Sequence, residues 1–263
     1  MTKVLIIGAT SAMVQETARL YAADGASLCL VARNSNRLAA VAADLRVRTA
    51  ADVHELRMEA ADDFRRLDEM LSNAIEMLGG LDAVLIAHGA LPDRKRCETD
   101  PDELMRSLNV NALSTVWLLV RVANEFERRR HGCIAVISSG AGERGRSGSY
   151  AYGMAKSMVT THLQGLRARL FRKGVSVVTI LPCFVDSPMT SYLPSSLRWV
   201  SPVSAGRKIY KGMVHGKDLV YIPWFWRWAL FVARNMPEAL AKRSQAEVRL
   251  LERIDRETPT RDG

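Results

Sequence analysis

Cysteine is scarce in this chain, and its placement excludes more than its number does. The four cysteines (Cys29, Cys97, Cys133, Cys183) lie far apart and form no CxxC pair. Neither a disulfide framework nor a metal site is expected, and a reducing compartment fits best. Long apolar runs are missing too. No window reaches the roughly 18 uninterrupted apolar residues of a membrane span. The N-terminal MTKVLIIGAT enters a strand-like run at once, without the long apolar core or cleavage site of a signal peptide. The expectation is a cytoplasmic chain. Aromatic residues make up only 6% of the sequence, and three of the five tryptophans crowd into Trp224–Trp228.

What is present is ordinary for a globular protein: 48% hydrophobic and 25% charged residues in a chain of 263, enough for one large α/β domain. The net charge of +9 is unevenly spread. Residues 1–190 carry +3, whereas residues 191–263 carry +6. Such a basic end suits an anionic neighbour (lipid surface, phosphorylated substrate, nucleic acid) or is simply a solvated tail.

Apolar strand-like runs alternate with helical patterns. Strands are expected at Lys3–Ile7, Ala26–Val31, His54–Met58 and Ala83–Ala87, with helices at Ser11–Ala23, Arg37–Ala51 and Ala61–Leu78 between them. A long helix over Asp102–Arg130, a strand at Cys133–Ser138, a helix at Tyr150–Arg172 and a strand at Val175–Leu181 follow. After a Pro- and Ser-containing connection (Ser187–Ser201) come a helix opened by Ser201-Pro202 and a last strand, Leu219–Ile222. This is the pattern of a Rossmann-like, doubly wound parallel sheet in an α/β fold. The expected organisation is a catalytic domain over residues 1–222 and an aromatic, basic helical extension over 223–263.

Gly8 directly follows the first strand, where such a sheet binds a pyrophosphate on the N-terminus of its first helix. Thr10, Ser11 and Met13 share that turn, and the two hydroxyls can serve as phosphate donors or caps. A G-x-x-x-G-x-G loop would also need glycines at 12 and 14, where the chain has Ala12 and Val14. Taken alone, a plain strand-to-helix turn explains Gly8 equally well. The second strand ends in Arg33-Asn34, with Arg37 one turn later, where a binder of the unphosphorylated cofactor usually carries an acidic residue. A guanidinium there pairs with a 2′-phosphate or stacks on adenine, so Arg33 favours NADP(H) over NAD(H).

The strongest signal is Tyr152-Gly-Met-Ala-Lys156. A spacing of four puts both side chains on one helix face, and a nearby ammonium lowers the pKa of a phenol. Tyr150 does not compete, because its i+4 partner is Met154. Such a pair arises often by chance, and order along the chain lifts it above chance. Ser139 ends the preceding strand, Asn111 lies early in the long helix, and Pro182-Cys-Phe-Val185-Asp-Ser187 follows the next strand.

On these residues the stretch from Lys3 to about Ile222 resembles the short-chain dehydrogenase/reductase family. The resemblance implies hydride transfer between a nicotinamide dinucleotide and a carbonyl or alcohol. Tyr152 would be the acid/base, and Lys156 would lower its pKa and hold the nicotinamide ribose. Ser139 would orient the carbonyl, and Asn111 would support a water relay. Ala87, His88 and Gly89 stand in the family's Asn-Asn-Ala-Gly segment, of which only the glycine is kept. Pro182, Val185 and Ser187 would contact the nicotinamide end. Glu59 takes the place of the acidic residue near adenine, with Ala60 beside it. The departures at Ala12, Val14, Ala87, His88 and Cys183 touch the cofactor bed and leave the four catalytic positions intact. A direct catalytic role for His88 is not expected.

Ser138–Arg144, Gly216–Pro223 and Arg234–Pro237 further resemble the decaprenylphosphoryl-2-keto-ribose reductases. That resemblance implies a polyprenyl-phosphate pentose as substrate and the unphosphorylated cofactor, against the reading of Arg33. The residues make a lipid-linked substrate reasonable on their own: Trp224-Phe-Trp-Arg-Trp-Ala-Leu-Phe-Val-Ala-Arg234 mixes rings and guanidinium groups as a bilayer interface requires. Lys242, Arg243, Arg249 and Arg253 extend the basic character. A subunit contact or a lid explains the same aromatics. A nucleic-acid partner is not expected, because the rings form one block instead of alternating with basic residues. Three readings stay open: a reductase of a lipid-linked sugar at a membrane surface, a soluble ketoreductase of a small ketone or acyl substrate, and a non-catalytic dinucleotide-binding protein. A homo-oligomer is expected, with apolar Thr115–Ala123 as a candidate contact.

Overall fold

A computed structural model describes residues 1–58, 63–186 and 200–242. Seven parallel strands form one sheet in the order β3-β2-β1-β4-β5-β6-β7. They are β1 (Lys3–Ile7), β2 (Ser27–Ala32), β3 (Val53–Arg57), β4 (Ala83–Ile86), β5 (Gly132–Ile137), β6 (Val175–Pro182) and β7 (Leu219–Ile222). The central strands are buried on both faces, which is why they read as continuous apolar runs: β2 and β4 have no exposed residue. Helices α1 (Ala12–Ala23), α2 (Ser35–Thr49) and α8 (Pro202–Val214) bury Val14, Leu38 and Ile209 on one face. Helices α3 (Phe64–Leu78), α6 (Ser114–Arg129) and α7 (Tyr150–Leu170) bury Leu67, Leu118 and Val159 on the other. The doubly wound reading stands, and strand order reverses between β1 and β4, where such sheets open a ligand crevice.

The long helix expected over Asp102–Arg130 is built differently. It starts as α5 (Pro101–Leu108), capped by the Asp100 carboxylate, which accepts from the Asp102 amide at 2.9 Å. A π turn over Asn109–Leu113 then leads into α6. A short α4 (Arg94–Thr99) precedes it, in a segment where hydrophobic periodicity gives no sign of a helix. Apolar residues of Thr115–Ala123 mostly face the chain's own core: Leu118, Leu119, Val122 and Ala123 are buried, while Val120 is exposed. Of the extension expected over 223–263, the described residues form α9 (Trp226–Asn235) and α10 (Glu238–Ala241), while Arg243, Arg249 and Arg253 lie outside the described residues.

Candidate active site

The turn after β1 carries the backbone requirement that Gly8 meets. Its φ is +92°, and a Cβ there would lie 2.7 Å from the carbonyl carbon of Ala87 and from the His88 nitrogen. No L side chain fits at this position. Val14 lies within α1, fully buried in the core, and Ala12 is the helix's first residue. The close approach in this region is supplied by α8 instead: a Cβ on Gly206 would lie 2.8 Å from the Met13 carbonyl oxygen. Thr10 accepts from the Gln15 side chain at 3.0 Å through its carbonyl, and the Ser11 hydroxyl makes no cap bond. Arg33 and Asn34 are exposed beyond β2, where Asn34 caps α2 by accepting from the Arg37 amide at 2.9 Å. Thr10, Gln15 and Arg37 line a surface groove between α1 and α2.

At the far side of the reversal, the end of β4 meets the π turn. Asn111 is 1% exposed, and its carboxamide oxygen accepts from the Ala90 amide at 2.9 Å. Its nitrogen donates to the Ser107 carbonyl at 3.0 Å. Gly89 (φ +153°) is wedged here: a Cβ would sit 2.8 Å from Asn111 Oδ1 and 3.6 Å from Lys156 Nζ. Asn111 therefore positions the 89–90 corner, and the π turn is the irregularity that seats it. His88 lies 8% exposed with Nε2 2.8 Å from the Ser114 hydroxyl, which itself reaches the Val110 carbonyl at 3.0 Å. Ser114 has one proton to give; donating it to Val110 makes Nε2 the donor and leaves Nδ1 as an acceptor. Burial first, then the charges of Lys156 and Arg33, push the His88 pKa down to about 3, so the ring is neutral. Its buried Nδ1 has no hydrogen-bond partner among the described residues.

The third component is the junction of β5 and α7. Ser138 donates to the Lys156 carbonyl at 3.1 Å and shares a 2.7 Å bond with the Thr160 hydroxyl, which fixes the strand end to the helix. Ser139 follows, and its hydroxyl accepts from the Ala141 amide at 3.2 Å as a 3-10 turn begins (Gly140–Glu143). That turn lies directly on α7. A Cβ on Gly142 would meet the Lys156 carbonyl carbon at 2.8 Å, and one on Gly153 the Ala141 oxygen at 2.8 Å. These two glycines bring Ser139 against the helix that carries Tyr152 and Lys156, a contact that residue spacing does not reveal. The middle residue of Tyr152-Gly153-Met154 is its only legible sign.

Lys156 is 4% exposed; its ammonium donates to the Ile137 carbonyl at 3.3 Å and stands 5.7 Å from the centre of the Tyr152 ring. Burial pulls its pKa down to about 8. Tyr150 and Met154 are exposed. At the end of β6, Pro182 pairs with Ile222, and Val185, beyond the strand, is buried. Cys183, in the place of a glycine, fills the space beneath Gly140, where a Cβ would lie 2.6 Å from its sulfur. Burial pushes its thiol up to about 12. Glu59, Ala60 and Ser187 lie outside the described residues.

Ser139, Tyr152, Lys156 and Asn111 thus collect at the strand ends beside the reversal of strand order. The cradle at Gly8 and Gly89 and the orphaned Nδ1 of His88 fit a dinucleotide running between them. Among the described residues no cluster could hold a metal ion. Fold and site together define an oxidoreductase on a Rossmann-like sheet. The chain belongs to the short-chain dehydrogenase family, whose model matches residues 2–197. An uncharacterized oxidoreductase of Mycobacterium tuberculosis is 32% identical over 240 residues, 91% of this chain and 96% of the relative. Another, from Streptomyces coelicolor, is 29% identical over 240 residues, 91% and 94% of the two chains. Among solved structures, a short-chain dehydrogenase from Sphingobium yanoikuyae in complex with NADPH is similar with a TM-score of 0.75 and 23% identity, covering 89% of this chain and 93% of that one. Levodione reductase matches with a TM-score of 0.77 and 20% identity over 84% and 95% of the chains.

Proposed function

We propose that this oxidoreductase reduces a ketone to an alcohol at the junction of β5 and α7. The observation that carries the reading is the buried Lys156 ammonium facing the Tyr152 ring at 5.7 Å, on a helix that glycines press against the Ser139 turn. A bound nicotinamide dinucleotide supplies the hydride that the carbonyl carbon accepts. Ser139 donates a hydrogen bond to the carbonyl oxygen and orients it. Tyr152 gives its phenolic proton to the oxygen as negative charge develops there. Lys156 stabilises the resulting phenolate until a solvent proton, delivered along the Asn111 corner, restores the phenol. Tyr152→Phe should cut turnover about a thousandfold, within the range for a lost general acid, and leave dinucleotide affinity unchanged. Wild-type turnover from that variant would remove Tyr152 from the mechanism.

On the dinucleotide side, Gly8, Thr10, Ser11, Met13, Ala87, His88 and Gly89 would hold the pyrophosphate and ribose. Arg33 and Asn34 would frame the adenosine, with Glu59 and Ala60, while Pro182, Val185 and Ser187 would meet the nicotinamide end. Arg33 and Arg37 are exposed, and neither is ion-paired among the described residues, so both can receive a 2′-phosphate; NADP(H) is the favoured form. Arg33→Ala should weaken NADPH binding more than NADH binding in titrations of both.

For the substrate we favour a lipid-linked ketone, such as the 2-keto group of a polyprenyl-phosphate pentose, met by a peripheral enzyme on the cytoplasmic side of a membrane. The aromatic and arginine-rich α9 beside the Ser139 turn supports this over a small soluble ketone. A homo-oligomer through α6 and α7 would cover exposed Val120, Met154 and Met158.

A further inference from the structure

Helix α9 has two faces with different occupants. Its inner face lies on the turn that follows Ser139: a Cβ on Gly140 would sit 3.1 Å from Leu230 Cδ1. Trp226 packs on Phe184, ring centres 5.2 Å apart, where the chain leaves β6. The end of the helix is held from the same turn. Arg144 donates to the carbonyl oxygens of Ala233 at 3.0 Å, Arg234 at 3.2 Å and Met236 at 2.7 Å, and pairs with Glu238 at 2.7 Å. The last carbonyls of a helix lack internal partners and carry its negative pole, so a guanidinium satisfies both needs at once. Glu143, its side chain only 9% exposed, lies 3.6 Å from Arg234 in return. These contacts join α9 to residues 140–144 both along its inner face and at its end.

The outer face has no partner among the described residues. Trp224, Phe225, Trp228, Phe231 and Val232 are exposed there. Arg227 lies 5.8 Å from the Trp228 ring and Arg234 5.9 Å from that of Phe231. From Leu219 to Pro237 the sequence has no carboxylate. Arg234 has Glu143 beside it, but a two-fold contact with a second copy would set the exposed Arg227 of each copy against an apolar, carboxylate-free segment. An anionic bilayer supplies both an apolar layer for the rings and phosphates for the guanidinium groups. Ten residues of helix are about 15 Å long, which suits lying in the interface and not crossing it.

We propose that α9 docks on an anionic lipid surface by its outer face and, through Arg144, orders the Ser139 turn when it does. This rests on the peripheral-membrane reading above and adds what docking does to the site. A surface that binds α9 only in its seated form stabilises whatever the seated helix holds, by linkage.

Hydrogen exchange of the full chain, with and without vesicles of phosphatidylglycerol and phosphatidylcholine, tests this directly. The amides of Ala141 and Gly142, bonded to the Ser139 hydroxyl and carbonyl at 3.2 and 3.0 Å, are the reporters. Vesicles should slow their exchange about tenfold, which is a coupling of ordinary allosteric size. Trp228→Ser with Phe231→Ser should abolish vesicle binding. Arg144→Gln should keep vesicle binding and lose the slowing, and the milder Glu238→Gln should reduce it without threatening the fold. Vesicle binding with unchanged exchange at 141–142 overturns this inference alone. Failure of the wild type to bind anionic vesicles overturns the peripheral reading with it, and a mass doubling that Trp228→Ser removes would assign the face to a second copy.

Discussion

The start of α1 and the start of α7 face the same packing problem and solve it differently. In both places a turn must approach another backbone too closely for side chains. At α7 the glycines stand at the contact itself, Gly142 on the turn and Gly153 on the helix. At α1 only Gly8 remains, and the glycine that permits close approach has its place on the opposing helix, Gly206 of α8. Val14, where a loop glycine would be sought, is a buried core residue. A glycine is required by a contact and a backbone angle, and either partner of a contact can carry it. Gly206 serves the packing of α8 on α1, and the cradle beside Ala87 and His88 rests on Gly8.

The largest test of that comparison is Gly8→Val. A side chain at φ +92°, driven into the Ala87–His88 peptide, combines a strained backbone with overpacking and should cost about 3 kcal/mol or more, with loss of dinucleotide binding. Denaturant melts and cofactor titration read the two effects. Next is the reverse experiment, Val14→Gly, which restores the motif on paper. It should lower stability by about 2–3 kcal/mol, because a core side chain is lost and a glycine gives up more chain entropy on folding, and it should leave cofactor affinity unimproved. Tighter binding by that variant would break the comparison.

Two smaller effects separate the ends by pH. Lys156 has a folded pKa near 8, below its ordinary 10.5, so unfolding takes up a proton between those values. The stability of the dinucleotide-free protein should therefore rise as pH increases from about 8 to 10.5. Lys156→Met should flatten that slope in melting curves. His88, neutral down to about 3 against an ordinary 6.5, works in the acid range. Stability should fall as pH drops from 6.5 towards 3, and His88→Gln should make that fall shallower.

Much of the fold is legible in the amino-acid sequence. Apolar runs bounded by turn residues place all seven strands within a residue or so, because buried parallel strands leave a strong compositional mark. Tyr152 and Lys156 are legible because helix periodicity is local. The π turn at Asn109–Leu113 is not: the segment reads as uninterrupted helix, and the bonds of Asn111 to the Ala90 amide and the Ser107 carbonyl are visible only in the structure. The hydrogen bond of His88 to Ser114 and the hold of Arg144 on α9 are equally hidden, since their partners lie 26 and about 90 residues away in sequence.

By itself the sequence determined the order of the seven strands and of the long helices between them, and the residue types able to move a proton. Those depend on hydrophobic period and on side-chain chemistry, which are properties of short segments. The tertiary structure alone decided which glycines matter, which nitrogen of His88 is an acceptor, and that the aromatic end of the chain holds the turn beside Ser139. Each of these depends on distances between segments remote in sequence, and no local pattern encodes such a distance.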